Sequence, residues 1–276
     1  PFGSRDPGPG EIAIAVEFAG LNFRDVLGAL GRYPGDVGPL GGECSGRVLA
    51  VGPGVTTLAP GDRVMALAPA SFADLAFTDA RLAVRIPPNL TAEEAATAAI
   101  AFATAWYGLH TLGQLQPGER VLIHAAAGGV GMAAVQLARR AGAEVLATAS
   151  PHKWPALTAM GLTHLASSRD TSFAATFRDA THGEGVDLVL NSLTGDILRE
   201  SVKLLRPGGR FLEMGKAEIW DDTRLTALAP GARYFAVDLA AVDPDTLSQI
   251  LRAIADALDH GELHPLPLRT APPTPA

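Results

Sequence analysis

Residues 119–150 run Glu119-Arg120-Val121-Leu122-Ile123-His124, then Ala125-Ala126-Ala127-Gly128-Gly129-Val130-Gly131, then a helical stretch to Ala141, then Glu144-Val145-Leu146-Ala147-Thr148-Ala149-Ser150. The first apolar run is short and bounded, which predicts a buried strand. Residues 130–141 carry apolar positions at helical spacing, and residues 144–147 predict a second strand. The turn between strand and helix holds only small residues. Its backbone can therefore bend tightly and approach a pyrophosphate, whose charge the helix N-terminus stabilises. The spacing is A-x-x-G-x-x-G rather than G-x-G-x-x-G, so the strand-turn-helix setting carries the inference and the spacing alone does not. Ala127, Gly128, Gly129, Val130 and Gly131 are the expected dinucleotide-binding turn.

Outward from this turn, apolar runs at residues 164–166, 187–190, 210–214 and 234–237 alternate with helical patterns. That alternation predicts a doubly wound parallel α/β sheet. Toward the N-terminus the texture changes to brief strands at residues 11–18, 46–51 and 63–68, punctuated by Gly and Pro, with a small helix at 23–30. This predicts a second, irregular β-rich domain. Leu115-Gln116-Pro117-Gly118 marks the expected boundary: residues 1–116, joined by 261–276, form one domain, and residues 117–260 the nucleotide-binding one.

The chain has 276 residues, 47% hydrophobic and 18% charged, enough apolar content for a packed core and too little charge for a disordered chain. A net charge of −7 argues against a general nucleic-acid binder or a polybasic membrane anchor. The single cysteine, Cys44, allows no internal disulfide or cysteine-built zinc site and points to a reducing, cytoplasmic setting. Residues 95–118 lack Asp, Glu, Lys and Arg, yet are mostly Ala, Thr and Gly, so they read as a buried helix rather than a membrane span. A start at Pro1 without Met and a Pro-rich end read as a piece of a longer polypeptide.

The second strand discriminates between cofactors. An NAD site usually carries an acid about 20 residues past the glycines. Here the strand ends with Thr148 and Ser150, and Lys153 follows; the next strand ends Ser167-Ser168-Arg169. Hydroxyls with a cation suit a 2′-phosphate, so Thr148, Ser150, Lys153, Ser168 and Arg169 point to NADPH. Ser150 is also suited to cap a helix, and Lys153 and Arg169 to lie in solvent.

Several further runs carry a resemblance: Gly20-Leu21-Asn22-Phe23-Arg24-Asp25-Val26-Leu27, Gly31-Arg32-Tyr33-Pro34-Gly35, Pro60-Gly61-Asp62-Arg63-Val64, residues 124–138, 148–154, 166–169 and 185–193, and Gly209 through Lys216. As a set they resemble the medium-chain dehydrogenase/reductase superfamily, and within it the enoyl reductase domains of modular polyketide synthases, a zinc-independent, quinone-reductase-like branch. The resemblance covers residues 10–268; relatives begin somewhat earlier and continue with a further helix and strand after Arg269. Zinc enzymes of this fold have a metal-binding Cys where Asn22 stands and Gly-His-Glu where this chain has Gly41-Gly42-Glu43, so no metal is expected.

The resemblance implies NADPH-dependent reduction of an α,β-unsaturated acyl thioester on an acyl carrier protein, beside neighbouring synthase domains. It assigns catalytic roles to Tyr33, Lys216 and Asp238, and it ties a Tyr at position 33 to one α-methyl configuration of the product. Tyr33 is also suited to pack with its hydroxyl in water, Lys216 and Asp238 to form a structural ion pair, and water to supply the proton. Lys216 and Asp238 both follow predicted strands, at the carboxyl edge where such sheets bind ligands, and the carboxylate would fix the direction of the ammonium. Met214 and Gly215 fall on the cofactor side of the same segment. Asn22 is placed either to bond the nicotinamide ribose or to complete a turn. Asn191 and Ser192 are placed either to contact the nicotinamide side or to cap the next helix. Phe102, Trp106 and Tyr107 belong to a core helix, and His124 reads as a hydrogen-bonded core residue. Two other readings stand beside this one: a free-standing NADPH quinone or enone reductase, and a catalytically silent cofactor-binding scaffold.

Overall fold

Alternating apolar residues on short antiparallel strands build the first part of the chain, which a computed structural model describes, with the rest, over residues 5–272. The strands are β1 (Glu11–Ala19), β2 (Glu43–Val51), β3 (Arg63–Leu67), β4 (Leu75–Asp79) and β5 (Ala83–Arg85), in the order β4-β1-β2-β3-β5. Ile12, Ile14, Cys44, Val48, Val64 and Ala66 point to one side and are fully or almost fully buried. β1 and β2 cross so closely at Gly46 that a Cβ there would lie 2.0 Å from the Ala15 carbonyl oxygen. Only glycine fits.

The second part is a six-stranded, all-parallel sheet: β6 (Arg120–Ile123), β7 (Glu144–Ala149), β8 (His164–Ser167), β9 (Val186–Asn191), β10 (Leu205–Glu213) and β11 (Arg233–Ala236), ordered β11-β10-β9-β6-β7-β8. This is the doubly wound arrangement expected from the alternating pattern. Its strand order reverses between β6 and β9, the switch point at which such sheets bind ligands beyond their carboxyl ends. Leu122, Leu146, Phe173, Phe177, Val189, Leu198 and Phe211 pack between the sheet and its helices.

The chain divides into two units, one running to Ala103 and resuming at Val242, the other Thr104–Ala241. These boundaries differ from the expected 116/117 and 260/261. The first falls within a helix, Ala99–Trp106, which continues as a π-helical stretch, Tyr107–Leu112. The second assigns the helix Pro244–Asp259 to the first unit. Asn89 there donates to the Leu258 carbonyl (3.0 Å), and Arg81 pairs with Asp245 (3.0 Å). Phe102 is buried, whereas Trp106 and Tyr107 are only half-buried. Among the described residues no helix is long and apolar enough to cross a membrane.

Candidate active site

The turn after β6 adopts the conformation that its small residues permit. Ala125 takes a left-handed φ of +49°, and the Gly128 amide donates back to its carbonyl at 2.8 Å. A Cβ on Gly131 would lie 2.5 Å from the Ala125 oxygen and 2.6 Å from the Ala126 Cα, so a glycine is required there. The 12-residue helix Gly129–Arg140 starts directly from this turn with no side chain capping it, and Gly128 and Gly129 are exposed. Its first amides lack intrahelical acceptors and stand at the switch point, which fits a bound pyrophosphate.

The ends of β7 and β8 converge as the sequence suggested. Arg169 Nε donates to Ser150 Oγ (3.3 Å), the Arg169 amide donates to Ser167 Oγ (3.1 Å), and the Ser168 amide to the Ala149 carbonyl (3.3 Å). Lys153 is exposed in the short 3-10 helix Pro151–Lys153 that follows Ser150. Thr148 is a correction. It is fully buried, and its hydroxyl lies 2.8 Å from His124 Nδ1, which leaves it unavailable to a ligand. His124 is the core residue expected. Ser201 Oγ donates to the Ile197 carbonyl (2.7 Å) and so accepts from His124 Nε2 (2.6 Å); Nδ1 then accepts from Thr148. Burial pulls the imidazole down to about 3, so it is neutral.

At the ends of β9, β10 and β11, Lys216 Nζ and Asp238 Oδ2 form an ion pair of 2.7 Å, both half-buried. Asn191 is the second correction. Its Nδ2 donates to Glu213 Oε2 (2.6 Å) and the Leu193 carbonyl (2.7 Å), and its Oδ1 accepts from the Leu193 amide (3.1 Å). The buried amide thus closes the loop after β9, with its polar atoms already paired inside the protein. Ser192, Met214 and Gly215 remain partly exposed at this edge. Glu213 was missed in the sequence. It is buried, accepts from Asn191 and from the Gly215 amide (2.6 Å), and desolvation pushes its carboxyl up to about 7. The one signal was an acid directly after the apolar pair Phe211-Leu212.

In the first unit, Tyr33 is half-buried in the segment after the helix Phe23–Ala29, with the Arg24 guanidinium 5.7 Å from its ring centroid. Asn22 donates through Nδ2 to Glu43 Oε1 (2.8 Å), and Glu43 Oε2 accepts from the Ile100 amide (2.7 Å). Asp25, also buried, accepts from the Asn22 and Gly41 amides (2.9 Å each). Asn22 therefore completes the turn, its amide donating to the buried Glu43 carboxyl and to the Gly20 carbonyl (3.4 Å). Desolvation pushes Glu43 up to about 7. Cys44 is buried and its thiol is pushed up to about 12. Asn22 and Gly42 stand where a zinc enzyme has ligands, and no group of three His, Cys, Asp or Glu among the described residues could hold a metal. The residues do not fit a zinc centre.

Glu43 predicts a pH dependence. Its folded carboxyl keeps a proton that the unfolded chain has lost between pH 4.5 and about 7, so stability falls as pH rises through that window. The size is roughly 3 kcal/mol. Glu213 acts in the same direction, and His124 opposes both between about 3 and 6.5. The diagnostic quantity is therefore the difference between variants. Glu43→Gln, whose new amide Asn22 can meet by flipping its own, should lose less stability than the parent chain between pH 5 and pH 7, by roughly 1–3 kcal/mol in denaturant titrations. Parallel curves would refute this assignment.

Residues 129–255 match the family described as zinc-binding dehydrogenase, and residues 8–88 the alcohol dehydrogenase GroES-like domain. Polyketide synthase GfsB of Streptomyces halstedii is 53% identical over 263 residues, which are 95% of this chain and 5% of that protein. The chain spans only 5–12% of the length of the first curated relatives it matches. The crystal structure of the CurK enoyl reductase superposes with a TM-score of 0.91 at 41% identity, covering 97% of this chain and 85% of that one. The mycobacterial protein Rv1454c, solved with NADPH, gives a TM-score of 0.85 at 30% identity over 94% of this chain and 83% of its own. The chain belongs to the medium-chain dehydrogenase/reductase superfamily of oxidoreductases, among the enoyl reductase domains of polyketide synthases.

Proposed function

We propose that this domain uses NADPH to reduce the C=C bond of an α,β-unsaturated acyl thioester, presented on the phosphopantetheine arm of an acyl carrier protein within a polyketide synthase. The observation that carries this reading is the Lys216–Asp238 ion pair (2.7 Å) at the carboxyl edge of the sheet whose switch point holds the glycine turn. The pair lies on the β10–β11 side of that switch point and the Ser150–Arg169 pair on the β7–β8 side, which suits the two ends of one dinucleotide.

When bound, the dihydronicotinamide supplies a hydride to the β-carbon. The π electrons of the C=C bond then move toward the thioester carbonyl, and the α-carbon needs a proton. Lys216, aimed by Asp238, delivers that proton from Nζ. The Tyr33 phenol is a second donor, and solvent can restore the proton to either group. The helix amides at Gly129, Val130 and Gly131 bind the pyrophosphate, while Ser150, Lys153, Ser168 and Arg169 take the 2′-phosphate.

Arg169 should set cofactor choice. Arg169→Ala removes a charge-assisted bond to a phosphate and should raise KM for NADPH about ten- to a hundred-fold while leaving KM for NADH nearly unchanged. Equal changes for both cofactors would place the 2′-phosphate elsewhere.

The functional test follows NADPH oxidation by absorbance with crotonyl-pantetheine and with a simple quinone in parallel, beside NADH controls. Turnover of the thioester with NADPH is expected. Turnover of the quinone alone would replace this reading with a free-standing quinone reductase, and NADPH binding without turnover of either would replace it with a silent scaffold.

A further inference from the structure

Glu213 is the residue at which three strand ends meet. It is the last residue of β10, directly opposite Asn191 at the end of β9. Its Oε2 accepts from Asn191 Nδ2 (2.6 Å), and its Oε1 accepts from the Gly215 amide (2.6 Å), the residue directly before Lys216. Its main-chain carbonyl accepts from the Val237 amide (2.8 Å), the residue directly before Asp238. One residue therefore holds the backbone next to each partner of the Lys216–Asp238 pair, and its side chain ties the Lys216 arm to β9. A Cβ on Gly215 would come within 2.7 Å of Glu213 Oε1, so the close seat of the carboxyl under this turn depends on glycine. Both side-chain partners are donors, so the arrangement suits two acceptor oxygens.

We propose that Glu213 is the positioning residue of the proton-delivering pair, fixing through its carboxyl and its carbonyl the two arms from which Lys216 and Asp238 project. This rests on the role given to Lys216 under the proposed function. Glu213 is buried and acts through the pair.

The test uses the full chain with Glu213→Ala, Glu213→Gln, and Glu213→Gln combined with Asn191→Asp. Glu213→Ala should let Lys216 be acetylated by a soluble succinimidyl ester as fast as Asp238→Asn does, read by mass spectrometry with Lys153 as internal reference. It should also lower kcat about ten- to a hundred-fold with KM for NADPH little changed. Glu213→Gln keeps an oxygen for the Gly215 amide but sets its own amide against Asn191 Nδ2. Adding Asn191→Asp restores a donor facing an acceptor at this contact while giving up the bond to the Leu193 carbonyl, and should recover the slow labelling and kcat in part. Parent-like labelling and kcat in Glu213→Ala would overturn the proposal. So would a double variant that melts like the parent yet recovers neither. If Glu213→Ala does not fold, the glutamine variants decide. If the parent chain does not reduce the thioester, the proposed function fails on its own and the labelling still decides whether Glu213 holds the pair.

Discussion

Lys216→Ala should lower kcat for crotonyl-pantetheine about a hundred-fold or more, with KM for NADPH within about two-fold, because a donor that acts only as the proton moves leaves ground-state binding alone. The ammonium stands 2.7 Å from Asp238 at the ends of β10 and β11, to one side of the switch point. Asp238→Asn should cost less, about ten-fold, since an amide oxygen can still accept from the ammonium while its directing charge is gone. Lys216→Arg should not rescue, because a planar guanidinium does not release its proton in a protein. The check is steady-state kinetics on the three variants and on Tyr33→Phe. If Tyr33→Phe shows the large loss and Lys216→Ala does not, the phenol is the donor and the ion pair is structural.

Gly131→Val carries the second large effect. Its Cβ would sit 2.5 Å from the Ala125 oxygen and 2.6 Å from the Ala126 Cα, both backbone atoms that cannot swing aside. The turn must open, and the helix start moves with it. NADPH affinity should fall about a hundred-fold or more, and the domain should lose roughly 1–3 kcal/mol. Gly128→Ala is the matched control. At φ −88° its Cβ meets only the Ala125 oxygen, at 3.2 Å, so the neighbour needs to give by a few tenths of an ångström. NADPH fluorescence titration and thermal melts read both variants. A Gly131→Val chain that binds and melts like the parent would show that the turn does not approach the cofactor.

The parallel sheet was readable because strands buried on both faces become continuous apolar runs, as in Val121-Leu122-Ile123 and Val145-Leu146-Ala147. β4 and β5 escaped for the converse reason. They are the two edges of the antiparallel sheet, short and half-buried, so Leu75–Asp79 and Ala83–Arg85 carry little periodicity. The domain boundary escaped because a Pro-Gly turn is visible in a sequence, whereas a crossing within an unbroken Ala-rich helix is not.

Strand ends were placed well but strand faces were not. Thr148 and Asn191 both lie at the carboxyl edge, as expected, yet each turns into the protein and satisfies a buried partner, His124 in one case and Glu213 in the other. A strand alternates its faces every residue, so an error of one position reverses the reading. Ser150 and Arg169 came together because the parallel order β7-β8 could be inferred from chain order. Lys216 and Asp238 were named through the family resemblance, and their 2.7 Å contact is a finding of the structure. The buried carboxyls Glu43 and Glu213 had no such guide, since a lone acid in a sequence looks like a solvated one.

The most direct test of the central claim is a single turnover of crotonyl-pantetheine with NADPH deuterated at the transferable position, with the product analysed by NMR and mass spectrometry. The account predicts a butyryl thioester that carries the deuterium on its β-carbon and a solvent-derived hydrogen on its α-carbon. Deuterium at the carbonyl carbon, or oxidised cofactor with unlabelled product, would contradict it.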